Sequence, residues 1–254
     1  MEKMRRPFQG VLNIIRFNWH FYVGIILLLF FINLAAIYLN ELTQYWIRVF
    51  SGIMLLVVFI SLSVSYYVYD LSVLYTLDWL SKMPSKEKFN IVNINAGFDE
   101  TSSLIKNKYI DSELIMLDFY DSSKHTEVSI KRARKAYPSH PNTINVQTEN
   151  IELEDNSQDK IFVVLSAHEI RDRNERISFF KELRRVIKPN GEIIVTEHLR
   201  DVANFFAYNI GFFHFLSKKE WLKTFLFSGL SNVKEIKITP FITTFILQRN
   251  GNTD

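Results

Sequence analysis

The sequence predicts an α/β domain on a largely parallel sheet, preceded by a hairpin of two membrane-spanning helices. Three observations carry this. The excess of apolar residues lies before residue 80, in two long runs. From residue 85 onward, short apolar runs alternate with helical stretches, as strands joined by helices do. Two β-runs around Pro240 close the sequence and read as an antiparallel pair.

Residues 1–84 read as the anchor. "FYVGIILLLFFINLAAIYL", residues 21–39, is almost unbroken hydrocarbon with Asn33 as its one strongly polar side chain. A crossing needs about 20 apolar residues to cover a core of about 30 Å. "VFSGIMLLVVFISLSVSYYVY", residues 49–69, is the second span; its serine hydroxyls can bond back to their own helix. A cleaved signal peptide fits poorly, because the run is long and a second one follows. A buried pair of core helices is the rival reading. Lys3, Arg5, Arg6 and Arg16 precede the first span, and "NELTQYWIR" between the spans is nearly neutral. The positive-inside rule then puts the N-terminus and everything after residue 70 in the cytoplasm, as a multi-pass protein of a bacterial-type inner membrane. The bilayer is the first expected partner, and pairing of copies through the spans is an option they leave open.

Residues 85–254 read as the cytoplasmic domain. "KFNIVNI" is the first strand, "SSLIKNKY" a short helix and "SELIMLD" the second strand. "HTEVSIKRARKAY" is helical and "PNTINVQ" a short third strand. "DKIFVVLS" is continuously apolar, as a strand buried on both faces is. "NERISFFKELRRVIK" places Ile177, Phe180, Leu183, Val186 and Ile187 on one helical face, "PNG" stops that helix, and "EIIVTEH" is the fifth strand. "LSKKEWLKTFLFSGL" opens with a capping box, Ser217 with Glu220, and ends at Gly229, a natural C-cap.

The charge of +3 with no basic stripe argues against nucleic acid, and the absence of cysteine excludes disulfides and thiolate metal sites. The six histidines (20, 125, 140, 168, 198, 214) show no i,i+4 pair, so no metal site is expected.

The stretch "DNSQDKIFVVLSAHEIRDRNERISFFKELRRVIKPNGEIIVTEH" resembles the class I S-adenosylmethionine-dependent methyltransferases, in the group that acts on quinones and other small molecules. The resemblance extends over roughly residues 85–249 and implies a Rossmann-like, seven-stranded, mostly parallel sheet with one antiparallel strand. It implies S-adenosyl-L-methionine as cofactor. The family's glycine-rich loop falls on "NINAGFDET": the acidic position is Asn93, the glycine positions are Asn95, Gly97 and Asp99. Gly97 still permits positive φ and close approach of a ligand, and Asn95 is the residue type that best tolerates a left-handed turn in place of glycine. Asp118, ending the second strand, takes the place of the ribose-binding acid, with Asp121 a weaker candidate. Gln147 and Thr148 fall where the family faces adenine, and Ser166 at the end of the fourth strand completes the cofactor-binding set.

For the acceptor, the loops after the fourth and fifth strands offer His168 with Glu169 and Glu197 with His198 as candidate catalytic groups. Ligands bind at the carboxyl ends of such strands. "NFFAYNIGFFHFL", residues 204–216, can cover the acceptor or lie on the bilayer. The expected activity is methylation, at oxygen or carbon, of a hydrophobic phenolic, quinone, polyene or fatty-acyl small molecule. The rival is a methyltransferase-like membrane scaffold that has lost catalysis and binds a protein partner.

Overall fold

The computed structural model describes residues 5–80 and 88–249. The expected domain boundary at 84/85, and Lys3 of the basic N-terminal group, lie outside the described residues.

Two long helices come first, α1 (Gln9–Ala36) and α2 (Glu41–Tyr66), the second continued by one π-helical turn, Tyr67–Leu71. Both are long and apolar enough to cross a membrane, and only 11% and 0% of their most apolar stretches are buried. That exposure removes the buried-core-pair reading, because a core helix hides such a face. The boundaries differ from those expected. The first helix ends at Ala36 rather than 39, and the second begins at Glu41 rather than 49. The cause is Asn40, whose side chain accepts from Thr43 N–H at 2.9 Å and starts α2 directly after a tight turn. Asn33 Nδ2 donates to Ser51 Oγ at 2.8 Å, so the one polar side chain of the first run locks the two helices together.

α1 also starts earlier than the apolar run, and its first turns are docked rather than free. Asn18 has non-helical angles (φ −115°, ψ 18°) and separates a docked foot from the apolar shaft. In the foot, Phe17 packs edge-on against Phe98 and Tyr137, and Arg132 donates to the Phe17 carbonyl at 2.7 Å. Arg5 pairs with Glu100 at 2.7 Å.

The sheet has seven strands in the order β3-β2-β1-β4-β5-β7-β6. They are β1 (Asn90–Asn95), β2 (Glu113–Asp118), β3 (Thr143–Asn145), β4 (Gln158–Val164), β5 (Ile187–His198), β6 (Leu230–Thr239) and β7 (Ile242–Arg249). The first five pair in parallel, and β7 runs antiparallel between β5 and β6. The mixed, Rossmann-like sheet with one reversed strand is thus as expected. Helices α3 (Ser102–Lys108), α4 (Val128–Ala136), α5 (Arg173–Val186), α6 (Val202–Tyr208) and α7 (Lys218–Phe227) complete the order. Ser217 caps α7 by accepting from Glu220 N–H, and Gly229 follows at φ +74°.

α5 stops at Val186, and Ile187 already belongs to β5; "PNG" forms an irregularity within that strand instead of ending the helix. Its buried face is Arg176, Phe179, Phe180, Leu183 and Val186, so Ile177 is only partly covered. Arg176 takes that inward position because its guanidinium donates to the Ile170 carbonyl (2.8 Å) and Thr224 Oγ1 (3.3 Å) under α7. Phe179 and Phe180 pack with Trp221 and Phe225 on one face of the sheet. On the other face, Leu77 and Leu80 join Ile91, Ile105, Phe162 and Ile194. The polypeptide leaving the hairpin therefore contributes to the core of the sheet domain.

Candidate functional site

β1 delivers its last residues to a tight loop at the carboxyl edge. Gly97 has φ +90°, the left-handed region in which a side chain is strained. Asn95 does not take the left-handed turn expected of it. It ends β1 in register with Asp118, and its Oδ1 accepts from Gly97 N–H at 2.8 Å. The turn is therefore made by a side-chain-to-backbone bond from an extended residue, and only Gly97 needs conformational freedom. Asn95 Nδ2 is buried with no hydrogen-bond partner among the described residues. Asn93 is buried, and its amide donates to Thr101 Oγ1 (3.0 Å) and Ser102 Oγ (2.8 Å), while its carbonyl accepts from Thr101 (3.2 Å). It ties the loop to the start of α3.

Asp118 is fully buried at the end of β2. Its Oδ1 accepts from Tyr120 N–H at 2.8 Å, and its Oδ2 accepts from Arg134 Nη1 of α4. The same guanidinium lies over the Tyr120 ring and covers Gly97: a Cβ added there would fall 1.9 Å from Arg134 Nη1. Gln147 is exposed beyond β3, whereas Thr148 is buried and donates to Glu175 Oε1 at 2.6 Å. Ser166 is buried, its hydroxyl donating to the Ile94 carbonyl at 3.2 Å. A bare glycine backbone, an orphaned buried amide and a strand-end carboxylate fit a ligand with a methionine part and a ribose, once Arg134 swings off Asp118.

The second half of the site lies at the ends of β4 and β5. After β4, Leu165 turns at φ 50°, and a single 3-10 turn, Ala167–Glu169, carries His168 and Glu169. His168 Nδ1 is 2.7 Å from Glu197 Oε2, and the backbone N–H of His168 donates to Glu197 Oε1 at 3.2 Å. Burial disfavours the charged imidazole, but the Glu197 charge, its hydrogen bond and Glu169 outweigh it and lift His168 above its ordinary pKa. Glu169 is buried, and its Oε2 has no hydrogen-bond partner among the described residues.

Two residues not expected here complete the cluster. His214, at the end of the 3-10 turn Asn209–His214, sets its ring edge-on to His168 at 5.0 Å. Glu127, just before α4, lies 3.2 Å from His214 Nδ1. Burial pushes His214 below its ordinary pKa, against the pull of Glu127. The Arg171 guanidinium lies against the His214 ring and donates to the His214 carbonyl at 2.6 Å. Among sequence signals, only a histidine inside the aromatic stretch hinted at His214, and nothing pointed to Glu127.

His198 does not join this cluster through hydrogen bonds. Its Nδ1 donates toward the Phe241 carbonyl at 3.0 Å, so Nε2 is left to accept from the Tyr69 hydroxyl at 2.7 Å. Phe215 stacks on it at 4.7 Å. Burial drives this imidazole down to a pKa of about 3. It joins the end of the helical hairpin to the sheet. The aromatic insert forms α6 and the following 3-10 turn, with Phe205, Phe206, Ile210 and Phe213 exposed.

Residues 101–195, from the start of α3 into β5, match the profile of the family described as "Methyltransferase domain". The match begins just after the loop whose glycine pattern is altered. No curated protein matches the chain. Among solved structures, a SAM-dependent methyltransferase from Aquifex aeolicus is 16% identical, with a TM-score of 0.49, over 71% of this chain and 94% of that one. One from Methanosarcina mazei is also 16% identical, with a TM-score of 0.46, over 68% of this chain and 95% of that one.

Proposed function

We propose that this chain, which carries an S-adenosylmethionine-dependent methyltransferase domain, is a membrane-anchored enzyme that methylates a hydrophobic, lipid-like small molecule. One observation carries the acceptor class. The exposed aromatic surface of Phe205, Phe206, Ile210 and Phe213 leads by chain continuity into His214, one wall of the polar cluster. α6, which bears part of that surface, packs against α2 of the apolar hairpin. An acceptor dissolved in lipid would thus find an apolar approach ending at ionisable groups.

The cofactor supplies an electrophilic methyl group on a sulfonium. Asp118, Gly97 and Asn95 are the groups suited to hold it. Transfer is an in-line displacement, so the protein's work is to align two partners and exclude water. The foot of α1 supports that exclusion by placing Phe17 against Phe98, beside Gly97. At the acceptor side, the Nε2 atoms of His168 and His214 and the Glu169 carboxylate are the groups to engage a hydroxyl or enol oxygen, with Glu197 orienting His168.

The apolar shaft of α1 after Asn18 rises about 27 Å at 1.5 Å per residue, close to the thickness of about 30 Å of the hydrocarbon core and with no length to spare for tilt. The reading places the N-terminus and the catalytic domain on the cytoplasmic side. With no native cysteine, Glu41→Cys should react with an impermeant thiol reagent in intact cells and Ser123→Cys only after lysis; equal labelling would defeat the hairpin.

The scaffold reading keeps one observation in its favour, the Arg134 guanidinium seated on Asp118 and Gly97. Calorimetry with the purified full chain in detergent decides between the two. Binding of S-adenosylmethionine supports the enzyme; no binding by either the natural chain or Arg134→Ala leaves the scaffold.

A further inference from the structure

The polar cluster holds more ligand chemistry than an acid–base pair needs. One ligand atom each from His168, Glu169 and His214 lies within 4.8 Å of those of the other two. Glu169 Oε1 is 3.6 Å from His168 Nε2 and 3.9 Å from His214 Nε2. Ligands bound tetrahedrally at about 2.1 Å stand about 3.4 Å apart, so these atoms need little movement to share one ion. They are also too far apart to be hydrogen-bonded to one another.

The surroundings point the same way. Each histidine has a carboxylate at its other nitrogen: Glu197 at 2.7 Å from His168 Nδ1 and Glu127 at 3.2 Å from His214 Nδ1. A carboxylate holding the Nδ1 proton fixes the tautomer and turns the Nε2 lone pair toward the centre, the outer-shell pattern of histidine metal ligands. Glu169, meanwhile, is a buried carboxylate whose Oε2 has no hydrogen-bond partner among the described residues. The other oxygen, Oε1, is the one that faces the two imidazoles, and a cation bound there would compensate the buried carboxylate.

We propose that His168 Nε2, Glu169 and His214 Nε2 form a binding site for one divalent transition-metal ion, with Glu197 and Glu127 as the residues that position the two imidazoles. Two imidazoles and one carboxylate suit zinc, manganese, iron or cobalt better than magnesium or calcium, which prefer oxygen alone. Three protein ligands leave at least one coordination position for a further oxygen. Resting on the methyltransferase reading above, the inference gives that position to the acceptor oxygen. Its hydroxyl proton would pass to solvent water, and the ion would stabilise the oxygen anion in place of an imidazole base. The oxygen–methyl bond would form as the methyl–sulfur bond of the sulfonium breaks to leave the neutral thioether. Arg171 holds the outer side of the site: its Nη2 lies against both ring nitrogens of His214, 2.9 Å from Nε2 and closer still to Nδ1, which it shares with Glu127. With 38% of its side chain exposed, it can swing away when an ion takes its place.

The test uses the full chain, purified in detergent and stripped with chelator, titrated with cobalt(II) and followed by visible absorption and calorimetry. We expect one ion per chain with an intense, low-coordinate cobalt spectrum. His168→Ala and His214→Ala should each abolish that spectrum, and Glu127→Gln should weaken binding by about tenfold. Arg171→Gln should bind at least as tightly as the natural chain, which separates a metal site from an arginine-neutralised cluster. An absent spectrum in the natural chain, or one that survives His214→Ala, overturns the site. Binding of S-adenosylmethionine to the stripped protein is measured in parallel. Its loss would count against the methyltransferase reading alone, and its retention with no cobalt spectrum would count against the metal site alone.

Discussion

Arg134 Nη1 donates to Asp118 Oδ2 directly over the bare backbone of Gly97. The residue suited to take a ribose hydroxyl is thus already satisfied by a cation from α4. That cation also fills the space that the glycine keeps clear. A ligand at this edge must first break a charge-assisted bond worth about 1.5–3 kcal/mol.

From this follows the first prediction. Arg134→Ala should tighten S-adenosylmethionine binding by about tenfold, because the ligand no longer has to displace the guanidinium. Asp118→Ala should weaken it by about a hundredfold in the Arg134→Ala background and by only about tenfold in the natural one, where losing Asp118 also spares the ligand the displacement. Calorimetry on the four proteins of the double-mutant cycle checks both; weaker binding by Arg134→Ala would mean that Arg134 holds the ligand instead of blocking it.

No local pattern in the sequence marks Arg134 for this place. Strands and most helices were legible because they depend on local periodicity and caps, as with the continuous apolar run of β4 and the Ser217 cap of α7. The loop after β1 was legible in place but not in detail. The residue type at Asn95 points to a glycine-like left-handed backbone, whereas the turn is made through its side chain. Arg134, Glu127 and His214 act across turns that bring distant segments together, and no spacing encodes such a meeting. The foot of α1 was hidden for the same reason: its partners Phe98, Tyr137 and Arg132 lie some hundred residues on.

The foot also depends on a remote cap. Phe8 precedes α1 in a left-handed conformation and offers no side-chain acceptor, so Asp70 caps the helix from beyond α2. Its two oxygens accept from Gly10 N–H and Val11 N–H, both at 2.8 Å. Asp70→Ala should cost about 1–2 kcal/mol of stability, as loss of an N-cap does, with some gain lost from the helix dipole. Gly10→Ala should loosen the foot as well, because its Cβ would lie 2.3 Å from Tyr69 Cβ. Urea unfolding in detergent measures both, and an unchanged midpoint for the pair would dismiss the cap.

His198 yields a prediction about pH. Its folded pKa is about 3 against an ordinary 6.5, so the unfolded chain binds a proton that the folded one refuses. The stabilising contribution is complete above the unfolded value and is lost as pH falls from there toward the folded one. The loss is about 1.4 kcal/mol per unit, or about 2 kcal/mol near pH 5. The difference in stability between the natural chain and His198→Gln should shrink by that amount over this interval. The His198 ring resonances should stay those of the neutral, Nδ1-protonated form; a midpoint near the ordinary value would show that the Tyr69 hydroxyl does not seal the ring.

The last prediction concerns the route to the site. Phe206 and Phe213 expose 68% and 64% of their surface, far more than a side chain that packs a core. A helix that merely covered the sheet would turn such rings inward, as α6 does with Asn204 and Ala207. Sunk into a membrane surface, each ring would contribute about 1.5–3 kcal/mol of apolar transfer. Replacing both with Ser therefore has two separable consequences. The KM for an acceptor presented in vesicles should rise at least tenfold, while S-adenosylmethionine affinity stays constant, because Gly97 follows β1 and Asp118 ends β2, away from α6 and the turn after it. For a short, water-soluble analogue of the same acceptor, kcat should be unchanged, since the cluster of His168, Glu169 and His214 is intact. An equal loss with both acceptors would mean that the two rings shape the reaction site itself, and no loss with the vesicle-borne acceptor would mean that it reaches the strand ends by another path.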